Sequence, residues 1–124
     1  MPDNVDLPRP ASLADLAESV MRSLRLVGVP TARDRSDPGA YVYVDESTDE
    51  SGGVFVEWNL SEELRHAMMQ FAAEGDLSSP RLSFIESAQG AMESALRAIV
   101  AAAGFKIDTE AVGVHEFAFK VEAV

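Results

Sequence analysis

Two short runs of β-branched and aromatic residues, Ala40-Tyr-Val-Tyr-Val-Asp45 and Val54-Phe-Val-Glu-Trp58, flank a polar spacer, Glu46 to Gly53, that closes on Gly-Gly. Such side chains favour a pleated backbone, and a turn-rich spacer of this length joins neighbouring strands as an antiparallel hairpin. In the second run Val54, Val56 and Trp58 share one face, and Phe55 and Glu57 share the other. The first set is assigned to the core. The second face of the sheet, carrying Tyr41, Tyr43 and Phe55, is then left at least partly open, and exposed aromatics of that kind invite a second copy of the chain.

The rest of the chain has the period of helices. Leu13, Leu16, Ala17, Val20, Leu24 and Val27 mark one stripe; Ser12 precedes it, Asp15 stands in the capping-box position, and Gly28 and Pro30 stop it. Ser61 opens a second helix with Glu62 and Glu63 in its first turn, where the helix dipole favours acids, and Leu64, Ala67, Met68, Phe71 and Ala72 keep helical spacing up to Gly75. Ser79 and Pro80 open a third, running to Ala103 before Gly104. Lys106, Ile107 and Asp108 form a short strand, and Ala111 to Val124 a terminal one. The terminal run changes phase near His115 and Glu116, which predicts a bulge there. This order predicts an α+β two-layer sandwich, a small and mostly antiparallel sheet (α-β-β-α-α-β) with its helices packed on one face.

At 124 residues the chain suits one domain. Residues 1–11, with three prolines, read as an extended arm and 12–124 as the single domain; outside the arm and the Pro/Gly-punctuated stretch Thr31–Gly39, the clear periods exclude disorder. A net charge of −11 repels phosphate backbones and anionic head groups, so no nucleic acid and no membrane surface is expected as a partner. With no Cys there is no disulfide or thiolate chemistry. The first residues lack the basic and apolar regions of a signal peptide, and the longest apolar run, Ala98–Phe105, is too short to span a bilayer, which together predict a cytoplasmic protein.

Charge is unevenly placed along the chain. Between Arg35 and Arg65 stand Asp37, Asp45, Glu46, Asp49, Glu50, Glu57, Glu62 and Glu63 without a single Lys or Arg. The tip Asp45–Glu50 lacks the alternating acids, internal Gly and distal Glu of a calcium loop, so it reads as a solvated turn. Glu62 and His66 share a helix face, but with only one other histidine, His115, a metal set would need the two to meet across the fold. No metal and no cofactor is expected. The serines that precede helices are explained as caps, and Gly52-Gly53 leads into a strand rather than a helix N-terminus, so neither nucleophilic nor phosphate-binding chemistry is indicated.

The leading expectation is an interaction protein of inhibitor, immunity or adaptor type and no enzyme. Its partner-binding residues would be Asp45, Glu46, Asp49, Glu50, Glu57, Glu62 and Glu63, facing a protein with a basic surface. The alternative is a small-molecule binding module or weak enzyme with a pocket near Trp58, His66 and His115. Self-association as a homodimer through the open sheet face is a third possibility.

Overall fold

The structure, a computed structural model, describes residues 12–49, 51–108 and 118–123. The expected arm at 1–11 and the bulge near His115 and Glu116 lie outside them.

Helix α1 (Leu13–Leu26) starts where Ser12 Oγ accepts the Asp15 N–H at 3.1 Å, and ends where the N–H groups of Gly28 and Val29 reach back to the carbonyls of Arg25 and Leu24. Strands β1 (Gly39–Asp45) and β2 (Gly53–Asn59) pair antiparallel with Tyr43 opposite Phe55 and Tyr41 opposite Glu57. Helix α2 (Glu62–Glu74) is capped by Ser61, whose Oγ accepts the Leu64 N–H at 3.3 Å. It stops at Gly75, which takes a left-handed φ of 70°. Helix α3 (Pro80–Ala102) is capped by Ser79. Strands β3 (Lys106–Asp108) and β4 (Phe119–Glu122) complete an antiparallel sheet of order β1-β2-β4-β3, the terminal strand returning beside the hairpin.

The fold is the expected α+β arrangement, with helices on one face of the sheet. α1 lies against β1 and β2, and α3 against β2 and β3. Leu16, Ala17, Val20 and Leu24 of α1 meet Ala40, Val42, Val54, Val56, Phe119 and Val121 of the sheet and Leu96 and Val100 of α3. Each Val or Leu so buried contributes roughly 1.5–3 kcal/mol relative to its exposed state. α2 is different: none of its residues is fully buried, and it leans on α3 rather than the sheet. Leu60, Leu82 and Ile85 are buried but stand outside the main cluster.

The second face of the sheet stays partly open at Tyr41 and Tyr43, which are half-buried, and departs from expectation at Phe55. Phe55 is only 1% exposed, stacked on Tyr43 at 5.7 Å, while Tyr43 stacks on Tyr41 at 5.1 Å. The Arg35 guanidinium lies 5.0 Å above Tyr43 and 5.5 Å above Tyr41. A cation set over stacked rings is attracted to their negative faces and shields them from water. The aromatic ladder is therefore partly roofed rather than bare, and the homodimer expected through an open face loses Phe55 as a contact.

Candidate functional site

Where β2 ends, two polar side chains stitch the Thr31–Gly39 loop onto the rest of the molecule. Asn59 Nδ2 donates toward the carbonyls of Asp34, Arg35 and Asp37 at 3.0, 3.3 and 2.9 Å. Arg65, one turn into α2, donates from Nη1 to the Arg35 carbonyl at 3.1 Å and from Nη2 to the Ser36 carbonyl at 3.0 Å. Within the loop the Asp34 carboxylate accepts from the Ser36 hydroxyl and N–H, and these bonds hold its pKa below the ordinary 3.8. Gly39 closes the loop with φ 123°, where an added Cβ would sit 2.8 Å from the Pro30 carbonyl oxygen. Only glycine fits there without displacing backbone.

Beneath this loop lies a cleft of about 350 Å³ lined by Arg35, Glu57, Trp58, Asn59, Leu60, Arg65, Met68 and Gln89. Gln89 of α3 fixes its floor by donating to the Trp58 carbonyl at 3.2 Å. Arg35 meets Glu57 Oε1 at 3.2 Å, and the Glu57 side chain is only 16% exposed. Among the described residues Arg65 has no such counter-ion: the ion pairs there join Arg33 to Asp37, Arg35 to Glu57, Arg81 to Glu63, Arg97 to Glu93 and Lys106 to Glu122. Its Nε is buried with no hydrogen-bond acceptor among the described residues. Next to the cleft, burial pushes the Tyr43 hydroxyl up to about 12, helped by the Glu57 carboxylate and opposed by Arg35, so Tyr43 is neutral at physiological pH.

No family model, curated protein or solved structure matches this chain. The chemistry of the cleft therefore rests on its own residues.

The residues singled out in the sequence are divided among several places. Trp58 lines the cleft, but His66 is exposed on α2 and does not, because one residue along a helix turns the side chain about 100° away from Arg65. Of the expected Trp58–His66–His115 pocket, Trp58 and not His66 lines this cleft, and His115 is outside the described residues. Among the described residues no group of three or more His, Asp or Glu is placed to hold a metal ion, and no helix is long and apolar enough to cross a membrane.

The acidic block is split. Asp45, Glu46 and Asp49 lie at the hairpin tip, where Asp45 accepts the Ser47 N–H at 2.9 Å and the Ser51 hydroxyl and N–H lower the Asp49 pKa. Glu62 and Glu63 stand at the start of α2, beyond the far end of β2, about 20 Å from the tip at the usual rise of a strand. Glu57, between them, is engaged by Arg35, and Glu50 lies outside the described residues. The Arg81–Glu63 pair, 3.5 Å apart with both side chains more than half exposed, is screened by water and worth about 0–1 kcal/mol.

Sequence reasoning missed Arg35 and Arg65, the two cations that bracket the acidic block and converge on one cleft. A signal was present. A cation early in a helix opposes the dipole, so Arg65 needed a reason to be there. A larger hollow of about 510 Å³ lies at the other end of the sheet, between the start of α1 and the hairpin tip, and its lining runs to Ser12 and Ala123 at the limits of the described chain.

Proposed function

We propose that the chain is a protein-interaction module that docks through α2 and the turn into α3, against a partner whose apolar patch is rimmed by Lys and Arg. The observation that carries this reading is the exposure of three large apolar side chains within Met69–Phe84: Met69 at 72%, Leu77 at 78% and Phe84 at 62%. In a chain with 31 charged residues, three of the six exposed large apolar side chains among the described residues fall on this helix pair and its turn, the other three on or just after α1, and that share supports a covered surface here. Glu62, His66 and Met69 follow the helical period along the outer side of α2, which puts an exposed carboxylate about two turns from the apolar group on the same side and favours a basic rim on the partner.

The test compares proteins retained by immobilised wild type with those retained by two variants. Met69→Ser, Leu77→Ser and Phe84→Ser together should abolish retention of the specific partner, whereas Glu46→Lys with Asp49→Lys at the distant hairpin tip should leave it. Loss only with the tip variant would return the contact to the acidic hairpin. Equal retention by all three proteins would reject the module.

A further inference from the structure

The cleft under the Thr31–Gly39 loop carries an inference that does not depend on the docking surface. Two guanidiniums, Arg35 and Arg65, face one carboxylate, Glu57, so the lining holds one unit of positive charge within a protein whose net charge is −11. A cation that is partly withdrawn from water without a counter-ion is costly. The Arg65 Nε deepens that deficit, being a buried donor with no acceptor among the described residues. The other wall is apolar, formed by Trp58, Leu60 and Met68.

We propose that this cleft binds a small organic monocarboxylate with a flat apolar body, its carboxylate drawn to the Arg65 and Arg35 guanidiniums and its body lying against Trp58 and Met68. Arg35 presents a planar fork that matches a carboxylate, Arg65, whose Nη1 and Nη2 are taken by loop carbonyls, adds its charge, and an indole face suits a flat apolar group. The charge balance selects a monoanion. One negative charge neutralises the lining, while a dianion such as inorganic phosphate overshoots it and meets the repulsion of the whole molecule. A volume near 350 Å³ lies at the small end of ligand sites, which limits the body to about one ring.

The chain has a single tryptophan and it lines the cleft, so its fluorescence reports on this site. Phenylacetate and benzoate should quench or shift Trp58 emission saturably. Phenylacetamide and benzamide, of the same shape but uncharged, should bind at least about tenfold more weakly, as should acetate and phosphate. Met68→Glu places a carboxylate in the cleft and should abolish the response, its fold being checked by circular dichroism. Glu57→Gln removes the one negative lining group and should tighten phenylacetate binding about threefold. A merely structural role for Glu57 would not give that opposite sign. Absence of a saturable response to either carboxylate, equal binding of acid and amide, phosphate binding as tightly as phenylacetate, or unchanged affinity in folded Met68→Glu each overturns the proposal.

Discussion

Asn59 shows how much one side chain can organise when it stands at a strand end. Its amide nitrogen faces three loop carbonyls, so replacing it with a near-isosteric carboxylate turns donors into acceptors aimed at acceptors. Asn59→Asp should destabilise the protein by about 2–4 kcal/mol, read as a lower urea midpoint with little change in slope. An unchanged midpoint would mean the loop does not depend on it. Asp34 offers a pH readout of the same loop. Its folded-state pKa is depressed by the Ser36 hydroxyl and N–H, so its contribution is fully present above 3.8 and is lost as pH falls through the lower folded value. The midpoint of the Ser36 amide titration should fall below 3.8; a midpoint at or above 3.8 would contradict those hydrogen bonds. Neither role was legible in the sequence. Asn59 reads there as an ordinary strand end, because its partners lie more than twenty residues away and nothing local announces them.

The starts and stops of elements were legible, because they rest on neighbours a turn apart. Ser12, Ser61 and Ser79 each cap the helix that follows, with Oγ to N–H distances of 3.1, 3.3 and 3.2 Å. What periodicity left hidden was how deeply each helix sits. Leu64, Ala67, Met68 and Phe71 keep helical spacing as well as the stripe of α1 does, yet none is fully buried, since α2 packs chiefly on α3 rather than on the sheet. Few buried apolar groups make for low local stability, and α2 should open without global unfolding. Hydrogen exchange should therefore be faster in α2 than in β2 or the second half of α3. Ser61→Ala, costing about 1 kcal/mol, should speed α2 exchange about fivefold, and α2 exchange should depend less steeply on added urea than β2 exchange because its opening exposes less surface. Equal urea dependence in the two elements would show that α2 unfolds only with the whole domain.

For the molecule as a whole, proximity in sequence and in space part company. Eight acids run between Arg35 and Arg65 without a cation, yet a strand holds its ends apart, so tip and junction become separate patches while the two bracketing arginines come together. The linear pattern revealed the charge but not its grouping, because grouping depends on which residues the loop of 31–39 is tied to. Balance is a property of the full chain: 21 acids face 10 Lys and Arg, and the five ion pairs among the described residues each include a side chain more than a third exposed. Exposed pairs contribute little, whereas surplus like charge repels over the whole surface and favours expansion. Salt weakens both, shortening the screening length from about 10 Å at 0.1 M to about 3 Å at 1 M. If surplus repulsion is the larger effect, raising sodium chloride across that range should lift the melting temperature at neutral pH by on the order of a few degrees. A fall in melting temperature would instead assign the advantage to the ion pairs, with Arg35–Glu57, the least exposed at its carboxylate, the first to examine by Glu57→Gln.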